Sequence, residues 1–407
     1  MKNFVFISPN FPESYWKFCA ELKNNGLRVL GIGDCPYDQL KQELRDNLHE
    51  YYKVDSLENY NEVFRAVAFF TYKYGKIDWL ESNNEYWLMR DAKLRTEFHI
   101  TSGFMESDMD RIKLKSAMKA YYAKAGIPTA RYHLVEGYED ALEFAHKVGY
   151  PVVVKPDNGV GASNTYKLKC DDDLRFFIDH MDENIYIMEE FVNGHVETFD
   201  AIIDADGKPI FESGNVTPHS LMDVVNNNED SIYYLVKDLA PDIREAGIKT
   251  VKAFGVKSRF VHLEFFVLNA DQKGLGKKND VIGLEVNMRP SGGFTPDMYN
   301  FAYETDVYKI WADMIAFNKC TLNMDRPRHF CAFVGRRDSR EYELDHNAVL
   351  ERYGYCMKLE CRLPAALATA MGDQVYMCNF DTEDDLLNYF RNLIRKKASN
   401  SQQKHAK

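Results

Sequence analysis

Signals for buried strands and amphipathic helices alternate through residues 1–110. The run Phe4-Val5-Phe6-Ile7 is apolar on both faces, as a strand covered on two sides requires. Glu13–Asn25 then reads as a helix ended by Gly26, and Leu27–Ile32 as a second strand. The helical stretch Leu57–Tyr74 precedes a further strand at Ile77–Leu80. This succession predicts a parallel sheet covered by helices. Lys113–Lys124 has a helical period, closed by Gly126 and stopped by Pro128. Strand, helix and strand follow at Arg131–Val135, Glu139–Lys147 and Val152–Lys155, then a glycine-rich turn over 157–163. The strand Ile185–Glu189 leads into Glu190-Phe191-Val192. Two long apolar strands, Phe260–Leu268 and Val281–Met288, flank the charged segment Asp271–Asp280, which reads as an exposed hairpin loop. Beyond residue 320 strands and helices mix, ending in a helix at Asp384–Lys396 and a polar stretch expected to be disordered. No internal repeat is visible.

At 407 residues and 45% hydrophobic, the chain can bury a core but is too long for a single one, so two to four domains or subdomains are expected. An aromatic content of 14% argues against disorder. The formal net charge of −11 leaves no basic footprint for nucleic acid or an anionic membrane, although a few local lysines and arginines suffice for phosphates. The polar turn Ser8-Pro9-Asn10 cuts the first apolar run short of a signal peptide's apolar segment. No stretch approaches the ~20 apolar residues that span a bilayer. The eight cysteines are scattered, with no CxxC pair, and read as reduced thiols of a cytoplasmic protein. The expectation is a soluble cytoplasmic enzyme or binding protein.

Gly31-Ile32-Gly33 invites a dinucleotide-binding reading, but it follows the second strand and lacks that fingerprint's third glycine. The segment Val281–Gly293, VIGLEVNMRPSGG, says more. Strand alternation puts Ile282, Leu284, Val286 and Met288 on one face, and Glu285, Asn287 and Arg289 on the other. The partner segment RFVHLEFFV places Glu264 among apolar residues, with His262 and Phe266 on its face. A carboxylate in so apolar a strand is costly unless paired or metal-bound. Glu264, Glu285 and Asn287 on neighbouring strands make a hard-oxygen set suited to Mg²⁺, completed by phosphate oxygens and water. Arg289 suits an anionic substrate or developing phosphate charge. The competing reading is a buried Glu264–Arg289 ion pair. His262 is either a proton-transfer group or, more commonly for such a residue, a satisfied core histidine.

Two further segments are weaker taken singly. In PVVVKPDNGVGAS, Lys155 ends a buried strand and faces a loop containing Gly159 and Gly161. Such a loop lets backbone N–H groups approach phosphate oxygens while the lysine supplies charge. It has no GKS or GKT, and alone it could equally be an ordinary turn. In IYIMEEFVNGHVETFD a strand becomes a short linker, whose free backbone groups suit an adenine edge. Glu197 there could accept from ribose hydroxyls, or be a solvated acid at a strand end.

Together and in this order, these segments resemble the ATP-grasp superfamily. Lys115 lies eleven residues before Gly126, as does the first phosphate lysine of biotin carboxylase-like members. Lys155 matches the second lysine, and Asp157–Ser163, with Gly159, Gly161 and Ser163, the loop that closes over the phosphates. Glu189-Glu190-Phe191-Val192 resembles the adenine hinge, with Glu189 and Val192 at the base and Glu197 at the ribose. Glu264, Glu285 and Asn287 match the metal ligands, and Arg289 the substrate-side arginine. The resemblance implies an α/β fold, α+β in its ATP-binding part. It covers about residues 1–320, as a Rossmann-like pre-ATP-grasp domain over 1–110 and ATP-grasp subdomains over 111–192 and 193–320; the sequence pattern adds a small C-terminal α+β region over 321–396 and a tail over 397–407.

Biotin carboxylases and carbamoyl phosphate synthetases continue past the arginine with a Val-Glu-His-like sequence. Here Arg289 runs into Pro290-Ser291-Gly292-Gly293-Phe294, which looks more like the carboxylate–amine ligases of amino acid and peptide metabolism. No Met-Lys-Met biotin acceptor sequence occurs, and no carrier domain is expected. The resemblance implies that a small-molecule carboxylate attacks the γ-phosphate of ATP, helped by Mg²⁺ (or Mn²⁺), and that an amine then attacks the acyl phosphate. Lys155 and Arg289 would act directly, and a homodimer is compatible with the family. The alternatives are a bicarbonate-activating or phosphoryl-transfer enzyme on the same fold, and an ATP-binding regulatory protein without turnover.

Overall fold

The computed structural model describes residues 1–159, 164–218, 229–363 and 365–397. Gly161 and Ser163 of the glycine-rich turn, and residues 398–407 of the tail, lie outside the described residues. The chain divides into two compact units. One comprises Met1–Ser213, Leu239–Pro296 and Asp306–Met324, the other Gly214–Asp238, Asp297–Thr305 and Asp325–Lys407. Among the described residues no helix is long and apolar enough to cross a membrane.

The first unit contains three sheets. The N-terminal one is parallel, in the order Glu50–Lys53, Arg28–Gly33, Asn3–Ile7, Trp79–Glu81. All five residues of Asn3–Ile7 are buried, because helices cover both faces. Val63, Ala66, Val67 and Phe70 of the helix Tyr60–Tyr74 pack on one side. Phe18 of the helix Trp16–Asn24 meets Phe6 and Trp311 on the other. Each buried Val or Phe among these contributes roughly 1.5–3 kcal/mol relative to exposure. The helix expected over 13–25 begins with a single 3₁₀ turn, Glu13–Tyr15.

A small antiparallel sheet follows, in the order Tyr132–Leu134, Tyr186–Glu190, Val152–Pro156, Tyr166–Leu168. It is backed by the helices Tyr138–Val148 and Asp171–His180. The third sheet pairs Val281–Asn287, Arg259–Leu268, Gly194–Ile203 and Pro209–Ser213, all antiparallel. The helices Lys115–Ala125 and Pro241–Phe254 cover it through Met118, Tyr122, Val251 and Phe254. Gly283 makes that packing possible: a Cβ there would meet the Tyr122 ring at 2.7 Å.

The helix expected over 113–124 is found at Lys115–Ala125, and a separate short helix precedes it. Met109–Lys113 stops at Leu114, which is extended at φ −85° and ψ 118°. A new helix starts at Lys115, because Asp157 fastens its first turn from across the chain. The Asp157 carboxylate accepts from the Ser116 N–H and hydroxyl, both at 2.7 Å, and its carbonyl accepts from the Lys115 N–H at 3.0 Å. These bonds satisfy N–H groups that a helix start leaves open. Gly126, at φ 71°, closes the helix in the left-handed conformation.

The second unit is an antiparallel sheet in the order Asn215–Thr217, Ser231–Leu235, Phe330–Arg336, Gln374–Phe380, Met357–Arg362. The amphipathic helix Glu383–Leu393 buries Leu386, Tyr389, Phe390 and Leu393 against it.

Candidate active site

The carboxylates on the long hairpin come together as strand alternation requires. Glu264 and Glu285 are direct cross-strand partners, as are His262 and Asn287, with a register shift just after Glu264. The Asn287 amide donates to Glu264 Oε1 at 3.3 Å, and Arg289 Nη2 donates to Asn287 Oδ1 at 3.3 Å. His262 bridges two acids, with Nε2 3.1 Å from Glu264 Oε1 and Nδ1 2.5 Å from Asp200 Oδ1. Burial opposes its protonation, but Asp200 and Glu264 prevail and raise it to about 9.

The two acids differ in state. Burial pushes Glu264 upward, but the His262 bond and charge, with Arg289 and Lys155, hold it below the usual carboxylate range. Burial likewise raises Glu285; Lys115 opposes this, the charge of Glu264 adds to it, and Glu285 stays above its ordinary value. Arg289 does not pair with Glu264 as the competing reading required. Its Nε lies 3.4 Å from Glu85 Oε2, and Lys113 holds the other Glu85 oxygen at 2.6 Å.

The lysines enter from separate elements. Lys115, at the helix start fixed by Asp157, donates to the Gly159 carbonyl at 3.2 Å and lies 3.4 Å from Glu285 Oε1. Lys155 sits on the strand Val152–Pro156, 2.7 Å from Glu189 Oε2. Lys119 bonds the other Glu189 oxygen. Burial alone would raise Glu189, but Lys119 and Lys155 overcome it and hold the carboxyl at about 2. Burial would lower Lys155, yet Glu189 and Glu285 keep it above its ordinary value.

The expected adenine hinge is organised differently from the sequence reading. The strand runs to Glu190, and Glu189 and Glu190 point to opposite faces. The Glu189 carboxylate is committed to the two lysines. Arg131 grips Glu190 at 3.0 and 2.7 Å, while the Glu190 N–H donates to the Arg131 carbonyl. Any part Glu189 or Glu190 has in holding a base therefore falls to the backbone. The carbonyls of Phe191 and Val192 accept from Gln272 and Gly194. Glu197 pairs with His195 at 3.0 Å. Thus Lys115, Gly159, Glu264, Glu285, Asn287 and Arg289 are linked by contacts and cross-strand pairing, Lys155 with Glu189 joins them through charge, and the Glu190 and Glu197 side chains have separate partners.

Lys119, Glu85, Asp200 and Asp157 were not singled out from sequence. Lys119 had a signal: it lies four residues after Lys115, on the same helix face. The others pair with residues 28 to 62 positions away, and no local spacing marks them.

Fixed cations beside paired acids can receive a polyanion and a hard divalent cation together. Among the described residues no group of three or more His, Cys, Asp or Glu could hold a metal by itself. A cation here would draw part of its shell from ligand oxygens and water.

Residues 110–179 match the model of the carbamoyl-phosphate synthase L chain ATP-binding domain. The L-arginine-specific L-amino acid ligase of Bacillus subtilis is 28% identical over 167 residues, 41% of this chain and 39% of that protein. The mitochondrial carbamoyl-phosphate synthase [ammonia] of Mus musculus is 26% identical over 199 residues, 46% of this chain and 12% of that protein. The matched part thus spans well under half the length of these relatives. Among solved structures, the L-amino acid ligase from Bacillus licheniformis superposes with a TM-score of 0.71 at 15% identity, covering 98% of this chain and 99% of that one. Phosphoribosylglycinamide synthetase from Anaerococcus prevotii gives 0.65 at 16% identity, covering 97% of each. The chain therefore has the ATP-grasp fold, and its likeness within that fold is to the carbamoyl-phosphate synthase ATP-binding domain and to the L-amino acid ligases.

Proposed function

We propose that this chain is an ATP-dependent carboxylate–amine ligase using Mg²⁺ or Mn²⁺, acting on small molecules in the cytoplasm, with a homodimer as its assembly. The observation that carries the reading is that Lys115 lies against Glu285, the cross-strand partner of Glu264, while Lys155, held by Glu189, feels the charge of both acids.

The acid pair fits a divalent cation, because Glu264 and Glu285 oppose each other and a cation would relieve the repulsion that helps raise Glu285. Glu264, Glu285 and Asn287 would hold it. The Asn287 amide now turns its nitrogen to Glu264 and must present its oxygen instead. When bound, the cation would supply neutralisation of negative charge.

Lys115 and Lys155 hold the phosphates with the loop containing Gly159, Gly161 and Ser163. The Glu189–Val192 segment receives the base through its backbone, and Glu197 the ribose. Arg289 faces the substrate carboxylate as that group attacks the γ-phosphate. The resulting acyl phosphate is taken by an amine, giving an amide, ADP and phosphate. Positioning and electrostatics do this work without a protein nucleophile.

An ADP-release screen over paired carboxylates and amines, L-amino acids among them, tests the proposal. Release that needs both partners supports it. Release with bicarbonate alone, or nucleotide binding without release under every pairing, contradicts it.

A further inference from the structure

Two buried lysines share one buried carboxylate beside the proposed nucleotide site. The side chains of Lys119, Lys155 and Glu189 are 6%, 12% and 7% exposed. Lys155 and Lys119 each hold one Glu189 oxygen, so the trio carries a net positive charge. Under the proposed function Lys155 must turn toward phosphate oxygens. Were it the sole cation of Glu189, its departure would strand a buried carboxylate, which strongly opposes the move.

Lys119 removes that obstacle. It comes from the helix Lys115–Ala125, one turn after Lys115, and its ammonium also lies 5.7 Å from the Tyr132 ring centroid. The helix is packed through Tyr122 and Met118, so Lys119 stays in place whether or not Lys155 moves.

We propose that Lys119 is a positioning residue: it keeps Glu189 neutralised and so releases Lys155 to the nucleotide phosphates. This rests on the ligase reading only in requiring that the chain bind ATP.

Equilibrium binding of a fluorescent ATP analogue with Mg²⁺ to the full chain, without turnover, tests it. Lys119→Met should weaken binding by about tenfold, the weight of one charge-assisted contact. Lys119→Arg, which keeps the charge but not the shape, should weaken binding less than Lys119→Met does. With Glu189 already replaced by Gln, Lys155 has no carboxylate to leave. Adding Lys119→Met to Glu189→Gln should then change binding by less than about threefold, since the coupling has gone. Should Lys119→Met alone not fold, Lys119→Gln replaces it in both backgrounds, so that the loss in the presence and absence of the Glu189 carboxylate is still compared.

Wild-type binding that is unaffected by Lys119→Met would overturn this inference and leave the ligase reading standing. An equal loss from Lys119→Met in both backgrounds would mean that Lys119 touches the nucleotide directly, and would overturn it too. A wild-type chain that binds no ATP would remove the ligase reading itself.

Discussion

Individual charges in the site are legible as opposing demands. Glu285 sits above its usual range through burial and the nearby charge of Glu264, so at neutral pH its ionised form costs stability. Glu285→Gln should leave the melting temperature of the nucleotide-free protein unchanged or raised, while ADP release falls by about 10²-fold or more, as losing a preorganised charge does. A variant that melts markedly lower and keeps its turnover would make Glu285 a structural group. Lys155→Ala should weaken nucleotide binding by about tenfold or more, as loss of a charge-assisted contact does, and reduce the thermal stabilisation that ATP·Mg²⁺ gives accordingly. An unchanged thermal shift would remove Lys155 from the site. Glu189 has the opposite sign from Glu285: its carboxyl is held at about 2 against an ordinary value of 4.5. Its stabilisation is fully present above 4.5 and lost as pH falls toward 2. The melting-temperature gap between wild type and Glu189→Gln should therefore be constant near neutrality and close between those values. A gap independent of pH throughout would show that Glu189 is not the ionised partner of the two lysines.

Along an element, sequence reveals what alternation and period control and conceals what remote residues impose. Alternation placed Glu285 and Asn287 on one strand face, and the structure sets them opposite Glu264 and His262. The same logic applied to Glu189 and Glu190 separates their side chains, which the hinge resemblance did not convey. The break at Leu114 was invisible, because the residue that starts the next helix, Asp157, lies 41 positions from its partner Ser116. No local signal marks Gly283, although the Tyr122 ring fills the space where its side chain would be. Gly283→Ala should lower stability by about 1–3 kcal/mol through overpacking and displace the helix bearing Lys115 and Lys119. Chemical denaturation measures the first effect and ATP affinity the second. A variant as stable as wild type would mean that the Tyr122 ring moves aside freely.

Over the whole chain, the parallel N-terminal sheet was legible because its strands are apolar on both faces and helices separate them. The two compact units were not, since each gathers segments that lie far apart in sequence, and no linker composition marks such interleaving. The four-part division into 1–110, 111–192, 193–320 and 321–396 stands as a proposal about folding units, and limited proteolysis with fragment mapping tests it. The partner of Arg289 was not legible either, because Glu85 meets it only in the fold. The most direct measurement of the central claim uses ATP with a carboxylate labelled with ¹⁸O in its oxygens, in the presence and absence of the amine. If the carboxylate is activated by phosphorylation, one ¹⁸O must appear in the released phosphate, in step with amide formation, and Glu285→Gln must suppress both. Amide and ADP formed without transfer of label to phosphate would contradict the acyl-phosphate route and the account built on it.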